Sequence, residues 1–258
     1  MPTIGLDGFT MSYADRGVGE PLLLLHGGMG IGADWRLVFP TDPPGYRLIV
    51  PDLRGHGRST TPEGAFTFRQ CALDVLALLD RLEVAKAKAI GLSLGAKTLL
   101  HVATRQPSRL EAMVLVSATP RFPPALREAA ARFTPEAFDR LSDAEKDALR
   151  HRHVHGDEQV RWLYEMTRRF ADTDSDLCFT AAQLGTITAS TLIVHGDRDP
   201  LYPVELAIEL FRAISGAALW IVPSAGHGPI FGADAAAFAQ AALAHLTGLR
   251  PQASRAFD

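Results

Sequence analysis

The chain has little of what would place it outside the cytoplasm. It contains two cysteines, Cys71 and Cys178, far apart in the sequence, so a disulfide framework is not expected and both are predicted to be free thiols. It has no run of about 20 apolar residues, and its first residues lack a basic stretch followed by an apolar core. We therefore expect a cytoplasmic protein that has no membrane partner.

Charge of one sign is also scarce. The formal net charge is -3, and no cluster of lysine and arginine marks a surface for phosphate groups, so nucleic acid is not an expected partner. Hydrophobic residues make up 47% of the chain and charged residues 21%, which is typical of a folded globular protein. A small molecule is the expected partner, and the oligomeric state is left open.

What is present is a regular alternation of short apolar runs with amphipathic stretches. This pattern predicts an α/β fold in which parallel strands are joined by crossover helices. An antiparallel hairpin is predicted before the first of these runs. The predicted strands cover residues 21–27, 46–52, 86–93, 111–117, 190–196 and 218–223, and the predicted helices cover about 66–84, 96–103, 203–214 and 233–246.

The alternation is interrupted between about residues 120 and 187, where the share of charged residues rises. At least three helices are predicted there, over 123–133, 136–150 and 157–172. We interpret this segment as an insertion on the sheet. Its aromatic residues either line a cavity or pack the insertion onto the rest of the protein; they are Phe133, Phe138, Trp162, Tyr164, Phe170 and Phe179.

A nucleophilic serine is predicted at Ser93, in the segment GLSLG at 91–95. A serine hydroxyl reacts only when a base removes its proton and the backbone projects it toward the substrate. Ser93 follows a predicted strand and precedes a predicted helix, and small residues stand two positions away on each side, at Gly91 and Gly95. This is the context that a strained strand-to-helix turn requires.

Backbone amides for a developing oxyanion are predicted at two positions. The segment LLLLHGGMG at 22–30 ends a strand in a glycine-rich loop, which lets the amide of Gly28 approach a reacting carbonyl. The amide of Leu94, at the start of the helix after Ser93, is the second candidate donor. We interpret His26 as a residue that orients the loop.

The predicted general base is His227 in VPSAGHGP, directly after the last strand. A carboxylate must hold the imidazole, and the segment HGDRDPLYP offers Asp197 and Asp199. We choose Asp199, because the two prolines that follow turn the chain away and leave this residue near the tip of the loop. Asp197 is expected to stabilise the turn.

The segments HGGMG, PDLRGHGRS, GLSLG, GDRDPLYP and AGHGP occur in the order found in the α/β-hydrolase superfamily, which the chain resembles over nearly its whole length. The resemblance implies a mostly parallel, twisted sheet of about eight strands with helices on both faces. It assigns the core to residues 1–119 and 188–250, and a helical cap to 120–187. It also implies Ser93, Asp199 and His227 as the catalytic triad, and Gly28 and Leu94 as the oxyanion amides.

Two features of the sequence depart from this resemblance. Lys97 occupies a position where relatives often have a small or apolar residue, and the cap resembles no subgroup that is defined by its substrate. In PDLRGHGRS, which is similar to a recurrent loop of the superfamily, Asp52, Arg54 and His56 are expected to be structural.

Other chemistries find little support. His151 and His155 in HRHVH are four residues apart, as the two histidines of a metal site can be. However, no glutamate of an H-E-x-x-H motif accompanies them, and the charge of Arg152 between them would repel a cation. We therefore expect this segment to be a solvated surface and not a metal site. HGGMG lacks the spacing of a dinucleotide fingerprint, and no phosphate-binding loop is present. We expect no cofactor and no metal.

The expected activity is hydrolysis of a carboxylic ester through an acyl-enzyme, on small to medium, largely apolar substrates. Two alternatives use the same residues: hydrolysis of a C–C bond in a diketone-like substrate of the meta-cleavage-product type, and opening of a lactone. A slow-turnover ligand receptor is the alternative of a different kind. The identity of the substrate is left open.

Overall fold

A single sheet forms the centre of the protein. The structure, a computed structural model, describes residues 1–6, 8–62, 64, 66–173 and 176–248. Within these residues the strands are β1 Thr3–Leu6, β2 Phe9–Gly17, β3 Glu20–Leu25, β4 Tyr46–Pro51, β5 Ala87–Leu92, β6 Leu110–Val116, β7 Ser190–Gly196 and β8 Ala218–Val222. Their order is β1-β2-β4-β3-β5-β6-β7-β8, with β1 and β2 antiparallel to their neighbours and all other pairs parallel.

Helices cover both faces of the sheet. The described helices are α1 Phe68–Arg81, α2 Leu94–Arg105, α3 Pro124–Ala130, α4 Pro135–Asp139, α5 Asp143–Arg152, α6 Asp157–Arg169, α7 Ala181–Leu184, α8 Val204–Ala213 and α9 Ala235–Leu246. Leu23 and Leu25 of β3 pack with α1, α2 and α8, whereas Leu22 and Leu24 pack on the opposite face with Phe238 of α9. Because these four leucines are buried, two on each face of the sheet, this part of β3 is a continuous apolar run.

The predicted fold class is confirmed: the sheet has eight strands, is mostly parallel and carries helices on both faces. The strand predicted over 190–196 coincides with β7, and the other predicted strands differ from the observed ones by one or two residues at either end. None of the helices in the described part of the chain has the length and apolar content that crossing a bilayer requires.

One predicted helix is wrong in its extent. The stretch 136–150 contains two helices, because the chain leaves helical geometry after Asp139 and starts again at Asp143. Ser142 caps the second helix: its hydroxyl accepts from the amide of Glu145, and the Glu145 carboxylate accepts from the amide of Ser142. This reciprocal cap sets where α5 begins.

The segment between β6 and β7 carries the helices α3 to α7 and packs onto the loop after β4. His153 Nδ1 accepts a hydrogen bond from the amide of Gly57 at 2.9 Å, and Gln159 Nε2 donates to carbonyl oxygens of that loop at 3.0 to 3.1 Å. Arg152 adds an ion pair to Asp34 at 2.6 Å. We name these contacts the latch; they hold the end of α5 and the start of α6 against the segments that follow β3 and β4.

The expectation that HRHVH is a solvated surface is wrong for its central residue. His151 and His155 are exposed, but His153 is fully buried, with its ring 6.0 Å from that of His56. The helix α5 ends at Arg152, so His151 and His155 do not share one helical face. The amide of Gly57 needs an acceptor once it is covered, and the His153 ring supplies it.

The latch is expected to weaken in acid. Burial lowers the pKa of His153 to about 4 and also lowers the pKa of His26 and of His56, because the charged rings would lose solvation. The unfolded chain therefore binds more protons than the folded protein between pH 6.5 and 4. Stability attributable to His153 is complete above pH 6.5 and falls by about 3 kcal/mol by pH 4.

Urea unfolding at a series of pH values from 7.5 to 4 measures this effect. His153→Asn keeps an acceptor for the amide of Gly57 but cannot titrate, so its free energy of unfolding is expected to fall less steeply with acid than that of the parent protein. His151→Asn, which changes an exposed residue of the same segment, is the control and should keep the parent slope. Equal slopes for His153→Asn and the parent would refute the assignment.

Candidate active site

Ser93 lies on the turn between β5 and α2 in a strained conformation. Its φ and ψ angles are 49° and -102°, a region that residues with a Cβ rarely adopt. The turn is possible because the residues two positions before and two positions after Ser93 are glycines. A Cβ on Gly91 would lie 2.6 Å from the backbone of Gly95, and a Cβ on Gly95 would lie 2.3 Å from the carbonyl oxygen of Leu25. Small residues at both positions therefore allow the turn to pack against β3.

The structure brings Ser93, His227 and Asp199 together. Ser93 Oγ lies 2.9 Å from His227 Nε2, and His227 Nδ1 lies 2.8 Å from Asp199 Oδ2. His227 is on the loop after β8 and Asp199 on the loop after β7, so both side chains reach the carboxyl edge of the parallel strands. The predicted preference for Asp199 agrees with this geometry, and Asp197 is exposed.

The Asp199 carboxylate is held as an anion. Its side chain is fully buried, and burial alone would raise its pKa, but hydrogen bonds and charge from His227 and the amides of Leu201 and Tyr202 outweigh burial and lower it. Those two amides donate to Oδ1 at 2.8 and 3.1 Å, while Oδ2 faces His227. Each carboxylate oxygen thus has its own partners, which fixes the orientation of the carboxylate.

The candidate oxyanion donors lie on the same cavity as Ser93. Gly28 and Leu94 both line it, and Leu94 is the first residue of α2, where amides have no partner within the helix. The amide of Gly95 donates to the carbonyl oxygen of His26 at 3.0 Å, which ties the turn of Ser93 to the loop that carries Gly28. His26 Nε2 accepts from the amide of Leu53 at 2.9 Å, so its ring orients the loop as predicted.

Among the described residues of the loop after β4, none has a side chain in the cavity. Asp52 accepts hydrogen bonds from the amides of Gly32 and Arg58, and Arg54 pairs with Asp74 at 2.6 and 2.8 Å. These contacts hold the loop against the segment that follows β3 and against α1. They agree with the structural roles expected from the sequence.

A cavity of about 290 Å³ opens above Ser93. Its far wall comes from α3, from Phe133 and from the end of α6, which supply mainly apolar side chains. Two of the six aromatic residues singled out in the sequence, Phe133 and Phe170, line this cavity; Phe138 and Tyr164 instead pack within the insertion. The size and lining suit a small, largely apolar molecule. The described lining residues are Gly28, Met29, Ser93, Leu94, Lys97, Leu126, Ala129, Ala130, Phe133, Met166, Thr167, Phe170, Leu201, Tyr202 and His227.

A polar pair at the floor of this cavity was not predicted. Lys97 Nζ donates a hydrogen bond to Tyr202 Oη at 2.6 Å, and both side chains are buried. The departure at Lys97 was visible in the sequence, but its partner lies on a distant loop. The signal that could have found the pair is the combination of an unexpected buried lysine with a tyrosine close to the acid in GDRDPLYP.

Comparison with known proteins agrees with the fold. A family model described as alpha/beta hydrolase fold matches residues 20–175. The hydrogen-bonded Ser-His-Asp arrangement on an eight-stranded sheet defines the class as a hydrolase. The chain belongs to the α/β-hydrolase fold family.

Individual relatives make the comparison more specific. A 2-hydroxymuconate semialdehyde hydrolase from Pseudomonas sp. (strain CF600) is 30% identical over 88% of this chain and 88% of its own length. Two solved structures share the fold. The enol-lactonase from Burkholderia xenovorans LB400 has a TM-score of 0.77 and 24% identity, and the match covers 95% of this chain and 100% of that chain. A thermophilic esterase from Thermogutta terrifontis has a TM-score of 0.73 and 22% identity, and the match covers 93% of this chain and 95% of that chain.

Proposed function

We propose that this protein is a serine hydrolase that cleaves an ester or lactone bond in a small, largely apolar molecule. The observation that carries the proposal is the unbroken series of hydrogen bonds from Ser93 through His227 to Asp199, placed at the floor of an apolar cavity. A base lies within hydrogen-bonding distance of the nucleophile, and a buried carboxylate orients that base.

In the proposed acylation step, His227 removes the hydroxyl proton of Ser93 while Oγ attacks the substrate carbonyl. The carbonyl oxygen becomes negatively charged and is bound by the amides of Gly28 and Leu94. His227 then gives the proton to the leaving alcohol as the bond to it breaks. The product at this stage is an acyl group on Ser93, and Asp199 stays ionised throughout.

In the proposed deacylation step, His227 removes a proton from water, which attacks the acyl carbon. The same two amides bind the second oxyanion. The bond from the acyl carbon to Ser93 Oγ breaks with its electron pair on Oγ, and His227 returns the proton to this oxygen. The acid is released and the free serine is restored.

We assign residues 1–119 and 188–250 to the catalytic core and residues 120–187 to a cap. Supporting this division, the far wall of the cavity comes from α3 and α6, and the latch joins the inserted segment to the loop after β4. The cap would then exclude water and select the substrate.

Hydrolysis of a C–C bond is the second candidate. It is favoured by the 30% identity with a 2-hydroxymuconate semialdehyde hydrolase. The same serine would attack a ketone or aldehyde carbonyl, and the leaving carbon would take the proton. The cavity favours the first candidate, because a keto acid brings a carboxylate and the one lysine or arginine in the described lining, Lys97, is buried, with Nζ hydrogen-bonded to Tyr202 and packed against two phenylalanine rings.

A substrate panel separates the two candidates. We expect the parent protein to hydrolyse p-nitrophenyl butyrate and δ-valerolactone with a higher kcat/KM than a 2-hydroxy-6-oxo-hexa-2,4-dienoate, whose cleavage is followed by loss of its absorbance. A preference for the dienoate would replace the first candidate with the second. Ser93→Ala serves as the blank for each substrate, and an unchanged rate in this variant would contradict both candidates.

A further inference from the structure

Two serines stand side by side at the carboxyl edge of the sheet, and the proposed reaction uses one of them. Ser93 directly follows β5, and Ser117 directly follows β6. The last residues of these two strands, Leu92 and Val116, are paired in register, and the amide of Ser93 donates to the carbonyl oxygen of Val116 at 2.8 Å. Ser117 is therefore the neighbour of the nucleophile on the adjacent strand.

The backbone of Ser117 is strained. Its φ angle is 48°, close to the 49° of Ser93, and the residue is fully buried. This left-handed region favours glycine, and a residue with a Cβ adopts it at a cost in free energy. A serine that keeps such a conformation in the interior of the protein indicates that its hydroxyl is used.

The hydroxyl of Ser117 bonds to the main chain of the proposed general base. Ser117 Oγ donates a hydrogen bond to the carbonyl oxygen of His227 at 2.8 Å, although the two residues are 110 positions apart. In the described part of the chain, this carbonyl oxygen accepts no other hydrogen bond. The amide of Ser117 donates in turn to the carbonyl oxygen of Val194 in β7 at 2.9 Å. Ser117 thus links the loop of His227 to the centre of the sheet.

The loop of His227 has few other attachments at this point. His227 lies between Gly226 and Gly228, which are exposed and have no side chain to pack against the core. Before them, the carbonyl oxygen of Ala225 accepts from the amide of Arg198 at 3.0 Å. Beyond this contact the imidazole must still place Nε2 within hydrogen-bonding distance of the nucleophile. Because reaction rates fall steeply when a reacting group is displaced, the main chain here needs an anchor.

We propose that Ser117 is a positioning residue: its hydroxyl fixes the main chain of His227 where Nε2 reaches Ser93 Oγ. The inference rests on the proposed function, in which His227 is the base. Ser117 is not among the described residues that line the cavity, so it acts through His227 and not on the substrate. His227 serves in both acylation and deacylation, and loss of the anchor therefore slows both steps to a similar extent. KM, which depends on the ratio of the two steps, then changes little while kcat falls.

Ser117→Ala is the direct test, because it removes the hydroxyl and keeps the Cβ. We expect kcat for p-nitrophenyl butyrate to fall about tenfold, with KM within about twofold of the parent value. Proton NMR observes the base itself. The Nδ1 proton of His227, which lies in the 2.8 Å hydrogen bond to Asp199, resonates at low field, and we expect its signal to shift or broaden in the variant.

Ser117→Gly separates the hydrogen bond from the backbone strain. Glycine adopts a φ angle of 48° without strain, so this variant should have a higher free energy of unfolding in urea than Ser117→Ala. It also lacks the hydroxyl, so its kcat should stay about tenfold below that of the parent protein. A positioning role requires this result, in which the loss of kcat does not follow the change in stability.

Thr191→Val is the matched control. The Thr191 hydroxyl is also buried and donates to a backbone carbonyl oxygen, that of Ala189, at 2.8 Å. It lies at the amino end of β7, at the opposite edge of the sheet from Ser93 and His227. The control variant should lose stability but keep the parent kcat and the parent signal of the Nδ1 proton.

A parent value of kcat or an unchanged low-field signal in Ser117→Ala would overturn the inference while leaving the proposed function intact. So would recovery of the parent kcat in Ser117→Gly, or an equal loss of kcat in Thr191→Val. If Ser117→Ala does not fold, Ser117→Gly decides, because its backbone suits the turn. Ester hydrolysis that survives in Ser93→Ala would overturn the proposed function and this inference together.

Discussion

Replacing Ser93 with alanine is expected to lower kcat on an ester substrate by on the order of 10⁶, taking another serine hydrolase as a guide. The alanine removes the atom that forms the covalent bond, and His227 and Asp199 then have no nucleophile to activate. Initial rates with p-nitrophenyl butyrate, measured at enzyme concentrations high enough to detect single turnovers, give the ratio of the two kcat values.

Ser93→Ala should lower the rate of the reaction without affecting folding or substrate binding. Ser93 is nearly buried, its φ angle is 49°, and alanine at this position keeps the turn with only the hydroxyl removed. Urea unfolding is therefore expected to show little change in stability, and substrate should still bind. Ser215→Ala, which changes an exposed serine after α8, is the control and should retain the parent kcat. A residual activity above a hundredth of the parent value would contradict the role of Ser93.

The centre of the sheet could be predicted from the sequence because its central strands are buried on both faces. A strand covered on both sides has no polar face, so β3 contains the apolar run LLLL and β7 the apolar run LIV. The positions of Ser93, Asp199 and His227 follow from the same property, because each lies at the end of a predicted strand or within about four residues after it, and the parallel strands end at one edge. This part of the site needs no knowledge of distant contacts.

The features that were missed depend on contacts between distant segments. His153 looks like one polar residue in an exposed cluster until Gly57, 96 positions away, is packed against it. Lys97 and Tyr202 carry no shared local pattern. The break between α4 and α5 was missed for a different reason. Ser142 and Glu145 form a capping box that can be recognised in the sequence, but the amphipathic pattern continues across the break and predicted a single helix.

The role of Asp199 leads to a second large effect. Asp199→Asn is expected to lower kcat by about 10⁴ even though the side chain keeps its size. The amides of Leu201 and Tyr202 donate to Oδ1, so the amide oxygen of the asparagine must take that place and its NH₂ group must face His227. An NH₂ group there forces Nδ1 of His227 to act as an acceptor, which leaves the proton on Nε2.

A His227 ring with its proton on Nε2 donates toward Ser93 Oγ and cannot take the serine proton, so the loss in kcat is a consequence of the wrong tautomer. Stability should change little, because both backbone amides keep their acceptor. Asp197→Asn, two residues away on the same loop and exposed, is the matched control and should stay within twofold of the parent kcat. A loss below tenfold in Asp199→Asn would mean that the carboxylate is not what sets the tautomer of His227.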